Sequence, residues 1–326
     1  MRINSLHSAI LCWYADNGRH SLPWRDRNAP HRAYRVLISE MMLQQTQVKV
    51  VQERYFYPFL QKFPTLELLS NATESEVLRA WQGLGYYTRA RNLHKLARLC
   101  TQQSSEIPRE PTLLRKLPGI GAYSAGAIAC FGYDMPVSFV DANIKRILTR
   151  LFALNNPTQS LLSKSAQDIL NTKDPFSHNQ ALLDLGALIC TTKSPKCAIC
   201  PLNPFCKGKE NWHTFTSKKP TKNIKKPLFL AIYMKDSKIA LCKSTESLYF
   251  GMYNFPQLTQ DSIANTHYIG ILKHSYTQFN LDVYLYVSPN PPTQAFTLFA
   301  RDSLSQIPLS SLALKVLKFL QTKGIF

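Results

Sequence analysis

No apolar run in the sequence approaches the roughly 18 residues that a membrane-spanning helix needs, and no basic amphipathic helix presents an evident lipid face. The opening, Met1-Arg-Ile-Asn-Ser-Leu-His7, holds neither a continuous hydrophobic segment nor a small-residue cleavage site. Export is therefore not expected; the expected location is cytoplasmic, on the nucleoid in a bacterium. Without an export signal, eight cysteines do not read as a disulfide framework. Acidic residues are scarce: 20 against 39 lysines and arginines in 326 residues, a formal charge of +19. That imbalance favours a polyanionic partner, and with the membrane disfavoured the partner expected is nucleic acid. Internal repeats are lacking too. Apolar content of 45% excludes wholesale disorder.

What is present divides in two, as the length also favours at ~150 residues per domain. From about residue 5 to 206 the apolar residues recur with helical period. Val48, Val51, Tyr55 and Phe59 form one stripe; Ile144, Ile147, Leu148 and Leu151 form another. Thr73-Glu-Ser-Glu76 has the form of a capping box. Residues 207–227 read as a basic linker, ending in Lys218-Lys-Pro-Thr-Lys-Asn-Ile-Lys-Lys-Pro227. Strand-like runs follow at Leu228–Met234, Lys238–Cys242, His267–Leu272 and Phe279–Val287, then a closing helix through Leu312, Val316 and Leu320. The expected fold is a mainly α region over 1–206 and an α+β domain over 228–326.

Four cysteines stand singly among apolar residues (Cys12, Cys100, Cys130 and Cys242) and read as core thiols. The others, Cys190, Cys197, Cys200 and Cys206, are spaced C-x6-C-x2-C-x5-C. Thiolates gathered so closely bind a soft metal or cluster. A single CxxC is less than zinc usually takes, and four thiolates on a tight loop suit an iron–sulfur cubane; the residues alone leave both open. Lys193, Lys196, Lys207 and Lys209 make the same loop a phosphate-contact surface or a solvated one.

Leu117-Pro-Gly-Ile-Gly121 precedes a helical stretch, Ala122–Phe131. Glycines let the backbone approach a ligand, and a helix N-terminus offers free N–H groups to a phosphate; a plain helix–helix turn is the alternative. Further on, Val140-Asp141-Ala-Asn143-Ile-Lys145-Arg146 opens another helix with Asp141 at an N-cap position. Together with the cysteine spacing, these residues resemble the endonuclease III superfamily of base-excision glycosylases. The resemblance implies a helix–hairpin–helix in which Gly119 and Gly121 grip the DNA backbone, and a [4Fe–4S] cluster on the four cysteines. It also implies that Asp141 stabilises the sugar cation left by glycosidic cleavage, with Asn143 positioning it. Members that cut the strand carry a lysine where this chain has Tyr123, so no lyase chemistry is expected; Lys145 nearby is read as a phosphate contact.

Ile38-Ser-Glu40-Met-Met-Leu-Gln44-Gln45-Thr46-Gln47 resembles the signature of the MutY-type adenine glycosylases within that superfamily. A carboxylate among apolar neighbours should have its pKa raised, which suits Glu40 to proton donation. By resemblance Glu40 protonates adenine N7. The resemblance implies that Gln45 and Tyr86 wedge into the base stack, with Gln44 and Thr46 in the same substrate-contacting segment. It also implies that Trp24, Arg25 and Asp184 line the adenine pocket. The spacer from Arg25 to Glu40 is slightly longer than the family pattern.

Residues 228–326 resemble more loosely the Nudix-like domain with which these enzymes recognise 8-oxoguanine, through Gly251-Met-Tyr-Asn-Phe-Pro256. An acidic RExxEE-type helix is missing, so pyrophosphate hydrolysis, which needs metal-holding carboxylates, is not expected. The family's Phe-Ser-His reading loop aligns with Tyr276, Thr277 and Gln278: the aromatic and the hydroxyl are kept, the histidine is not. The resemblance thus implies a monomeric, monofunctional glycosylase acting on adenine opposite 8-oxoguanine or guanine in duplex DNA. A bifunctional pyrimidine-lesion glycosylase and a catalytically silent iron–sulfur binding module are the competing readings.

Overall fold

The computed structural model describes residues 3–104, 106–215, 224–246, 249–276 and 278–326. They form two compact units, one of residues 1–70 and 95–218, the other of 71–94 and 219–326.

The helices are α1 (Ile3–Asn17), α2 (Arg32–Leu43), α3 (Val48–Arg54), α4 (Phe56–Lys62), α5 (Leu66–Asn71), α6 (Glu74–Ala80) and α7 (Thr88–Gln103). After them come α8 (Pro111–Leu114), α9 (Ala122–Tyr133), α10 (Ala142–Leu151), α11 (Gln159–Asp168), α12 (Pro175–Leu188) and α13 (Ser311–Thr322). In the first unit α9 is the centre, buried from Ser124 through Gly132. Its sequence explains this: it is apolar all round, as a helix enclosed on every side must be. α2 packs along it, α12 packs on α1 and α10, and α2 is itself buried from Val36 to Met42. The stripe through Val48 and Phe59 is interrupted at Tyr55, which separates α3 from α4.

Asp141 caps α10, its carboxylate accepting from the Ile144 amide at 2.6 Å, so a free N–H of the first turn is satisfied. Leu117–Gly121 forms the turn before α9. Of its two glycines only Gly119 needs the left-handed region (φ +79°). Gly121 is the extended N-cap of α9, and a Cβ built there meets nothing within 4 Å, leaving the helix N-terminus open.

The second unit opens with α6, whose capping box forms: Thr73 accepts from the Glu76 amide, and Glu76 accepts from the Thr73 amide. Its strands are β1 (Ile224–Ile232), β2 (Met234–Lys235), β3 (Lys238–Lys243), β4 (Tyr253–Asn254), β5 (His267–Tyr276), β6 (Phe279–Val287) and β7 (Thr297–Ala300). One sheet has the order β1-β6-β5, with β1 parallel and β5 antiparallel to β6. The other has β3 between β2 and β4, with β7 also on β3. Alternation along β6 turns Leu281, Val283 and Leu285 toward Leu312, Val316 and Leu320 of α13.

Several expectations change. The linker expected over 207–227 is shorter at both ends. Lys207 and Gly208 donate backbone N–H bonds to Leu151 and Arg150 of α10, and Trp212–Phe215 forms a 3-10 turn. Ile224 through Pro227 already pair with Phe279 through Asp282, because an edge strand tolerates lysines and a proline. Lys218–Asn223 lie outside the described residues. Among the single cysteines, Cys100 and Cys130 are buried but Cys12 is exposed and Cys242 half-buried: α1 buries the Leu6–Ile10–Tyr14 face and turns Cys12 away.

Candidate active site

In the first unit, α2, α9 and the α10 N-terminus bring Glu40, Tyr123 and Asp141 together. Glu40 is buried, and its pKa is raised to about 7. Burial is the main cause and the negative charge of Asp141 adds to it; a hydrogen bond from the Tyr123 hydroxyl and the positive charge of Arg25 oppose it. Tyr123 sits in the first turn of α9, and burial beside two carboxylates pushes its hydroxyl well above its ordinary pKa. It is therefore a proton-bearing donor to Glu40 at any physiological pH.

Asp141 is raised by burial, against the Ile144 and Asn143 amides that favour its charge. Its second oxygen accepts from Asn143 Nδ2 at 3.0 Å. Asn143 is in turn fixed by Arg146, which donates to Asn143 Oδ1 at 2.9 Å, to the Gly186 carbonyl at 2.7 Å and to the Cys190 carbonyl at 2.7 Å. Asp141 is thus doubly occupied by donors and held in one orientation.

Arg25 and Asp184 form a buried bidentate pair, both N–O distances being 2.7 Å. Arg19 adds a third cation–carboxylate bond at 2.7 Å and its own backbone N–H at 2.8 Å. Burial opposes the charge of Asp184, yet Arg25 and Arg19 hold its carboxyl below the ordinary carboxylate range. Asp184 at 0% exposure is an ion that only such pairing makes tolerable. Trp24 is buried with its ring edge-on to Phe56. Gln44 ends α2 and reaches Ser124 Oγ at 3.5 Å, and Thr46 follows in the turn. Gln45 is exposed and holds φ +59°, a left-handed conformation that is rare for a residue with a side chain. Lys145 is exposed on the first turn of α10.

Two contributors escaped the sequence reading. Arg19 carries no motif signal; only the approach of Asp184 from α12 gives it a role. Gly186 is a packing requirement, since a Cβ there would lie 2.5 Å from Asn143 Cβ and prevent α12 from approaching α10. A glycine in mid-helix was the available signal.

The four clustered thiols line one space with Arg150, Leu202 and Trp212. Among the described residues, no three His, Cys, Asp or Glu side chains are gathered tightly enough for a single metal ion. Burial first and neighbouring thiols second raise Cys197, while Arg150 donates to Cys190 Sγ at 3.3 Å. A thiol-lined, largely apolar space beside a guanidinium fits a polynuclear soft-metal group.

In the second unit Tyr86 is 43% exposed at φ +49°, following Gly83 and Gly85 at φ +90° and +76°. Arg89 lies over its ring at 5.4 Å and donates to the Gly85 carbonyl at 3.1 Å. Tyr276 ends β5 directly opposite Phe279 of β6. Thr277 lies outside the described residues.

A family model described as HhH-GPD superfamily base excision DNA repair protein matches residues 38–172. An adenine DNA glycosylase of Buchnera aphidicola subsp. Baizongia pistaciae is 38% identical over 265 residues, 78% of this chain and 74% of that one. The adenine DNA glycosylase of Mus musculus is 40% identical over 218 residues, 63% of this chain and 42% of the mouse protein. A thermostable thymine-DNA glycosylase has a TM-score of 0.57 at 27% identity, covering 64% of this chain and 97% of that one. Endonuclease III in a DNA complex, at 20% identity and a TM-score of 0.54 with the same coverage, shares the helical fold. With a relative matched so closely over most of its own length, the chain belongs to the MutY-type adenine DNA glycosylase family.

Proposed function

We propose that the chain hydrolyses the N-glycosidic bond of adenine mispaired with 8-oxoguanine, and with guanine, in double-stranded DNA. The observation carrying this reading is Glu40, buried with a pKa raised to about 7, beside Asp141 and in bond with Tyr123. A group so poised is partly protonated at neutral pH and can donate, as a general acid should. Adenine flipped from the duplex, at a cost of a few kcal/mol, receives the Glu40 proton at N7 and becomes a better leaving group. Asp141, fixed by the Ile144 amide and Asn143, faces the positive charge that develops on the sugar. Glu40, now a carboxylate, takes a proton from the attacking water, and two carboxyl groups divide the work as in glycoside hydrolysis.

Arg25, Asp184 and Trp24 form the wall against which adenine is read, with Gln44 and Thr46 at its rim. Tyr123 stands where a strand-cutting enzyme needs its lysine, which supports base removal without a Schiff base. Gly119, Gly121 and Lys145 grip phosphates on one side; Gln45 and Tyr86, both in left-handed backbone, enter the stack. Tyr276 and Thr277, in a Nudix-like domain over 228–326, read the base opposite. Cys190, Cys197, Cys200 and Cys206 hold one [4Fe–4S] cluster, which would supply a rigid centre for the loop carrying Lys193 and Lys196. No helix of the described residues is long and apolar enough to cross a membrane. The protein acts as a monomer in the compartment that holds the DNA.

A single-turnover assay on duplexes with adenine opposite 8-oxoguanine, with and without alkali before the gel, tests the reading. Strand breaks only after alkali are expected. Breaks without alkali would bring back lyase chemistry with Lys145 as the nucleophile, and no breaks from a duplex-binding protein would leave a silent module.

A further inference from the structure

The second unit joins residues 71–94, which the sequence assigns to the helical region, to the strands that begin at Ile224. The join is specific. Gln82 Oε1 accepts from the Leu309 amide at 2.9 Å, Arg79 donates to the Gln306 carbonyl at 3.2 Å and Arg91 donates to the Phe250 carbonyl at 2.7 Å. At its centre stand Tyr87, Tyr249 and His274. The Tyr87 hydroxyl accepts from the Gly83 amide at 3.2 Å, so this buried ring holds the turn that presents Tyr86. The Tyr87 and Tyr249 rings lie 6.3 Å apart. The Tyr249 hydroxyl and His274 Nε2 share a hydrogen bond of 2.9 Å, and Tyr249 is also bonded to Ser311. The His274 ring lies 6.3 Å from Tyr276, the last residue of β5.

His274 is unusual where it stands. It occupies a buried position of β5 opposite Leu281, and its Nδ1 has no hydrogen-bond partner among the described residues. A leucine would fill such a place without desolvating two ring nitrogens. Burial and Lys315 lower its pKa to about 4, so a neutral ring makes the bond at physiological pH. A polar group kept at that cost in a sheet core must do something a leucine cannot, and what it does here is bond Tyr249.

We propose that the Tyr87–Tyr249–His274 bridge is a positioning device that fixes the Gly83–Tyr86 turn relative to the β5–β6 hairpin, and so sets discrimination between 8-oxoguanine and guanine opposite adenine. The proposal rests on the reading of Tyr86 and Tyr276 as groups that flank the lesion. Neither Tyr249 nor His274 touches the DNA in it; both act through the two elements they tie together.

The test uses full-length Tyr249→Phe, His274→Leu and His274→Gln in single-turnover assays on adenine opposite 8-oxoguanine and opposite guanine. Tyr249→Phe and His274→Leu should leave the rate opposite guanine unchanged in the folded protein and lower the preference for 8-oxoguanine about five-fold, the worth of one neutral hydrogen bond. His274→Gln, whose amide regains a bond to the Tyr249 hydroxyl, should keep most of it. A merely structural role would lower the thermal midpoint and both rates together and leave the preference for 8-oxoguanine where it was. Tyr86→Ala and Tyr276→Ala should be coupled in the wild-type background and become additive in Tyr249→Phe. Unchanged preference with unchanged coupling, or equal loss on both duplexes, overturns the bridge. A wild-type chain with no preference for 8-oxoguanine overturns the lesion reading beneath it, and the proposal with it.

Discussion

The pocket around Glu40 and the region around Tyr249 are both buried polar clusters, yet they are built from opposite materials. The first holds two carboxylates against a third that is clamped by two arginines; the second holds neutral rings and hydroxyls. Burial acts on both and gives different results. In the first it moves Glu40 to about 7, within reach of physiological pH, and so creates a group able to give and take a proton. In the second it moves His274 to about 4, out of that range, and leaves a fixed strut. One cluster is made to change charge and the other to avoid doing so.

Glu40→Gln should sharpen the contrast most. It removes the proposed proton donor while keeping the shape and an acceptor for Tyr123, so adenine release in single turnover should fall about 10²–10⁴-fold. Duplex affinity, measured by equilibrium titration, should be nearly unchanged; affinity lost in proportion to rate would place Glu40 in binding instead. Asp184→Asn comes next. It leaves Arg25 and Arg19 without their buried counter-charge, for an expected loss of about 3–5 kcal/mol in denaturant unfolding. Arg25, released, should also pull Glu40 downward and move the pH–rate profile to lower pH. An unchanged profile would mean that Arg25 does not act on Glu40.

The pH dependence divides the two clusters directly. With the acid form of Glu40 as the proposed donor and its pKa raised to about 7, single-turnover rate should hold below that value and fall about tenfold per unit above it. The ratio of rates opposite 8-oxoguanine and guanine should stay level from pH 5.5 to 8, since His274, at about 4, is neutral throughout. A ratio that follows the rate would erase the distinction. The smallest effect is expected for Gly186→Ala. Its Cβ would press on Asn143 and part α10 from α12, costing about 1–3 kcal/mol of stability. Rate should fall further than stability explains, through the displaced Asn143 and Asp141, and a variant as active as wild type would show that Asn143 need not be held.

Much of this was readable in the sequence wherever the signal was local. The Thr73–Glu76 capping box, the Asp141 cap, the helix after Gly121 and the strand-like runs all formed. β4 and β7 were not expected, because strands of two and four residues carry too little alternation to be distinguished from loop. Arg19 and Gly186 were invisible because each matters only through a partner far along the chain. The same holds for residues 71–94: nothing in their own sequence says that their helix and turn cohere with the C-terminal strands.

The sequence by itself determined the inventory: a surplus of positive charge, four thiols within one loop, an aspartate at a helix cap and a glutamate in an apolar helix. Those follow from residue type and short-range spacing, which survive without a fold. Tertiary structure alone decided the environments. Glu40 titrates near neutrality because α9 and α10 exclude water from it and bring Asp141 alongside. Asp184 stays charged because Arg25 and Arg19 converge on it. Desolvation and pairing depend on distance in space, and that distance is set only when helices remote in sequence close on one another.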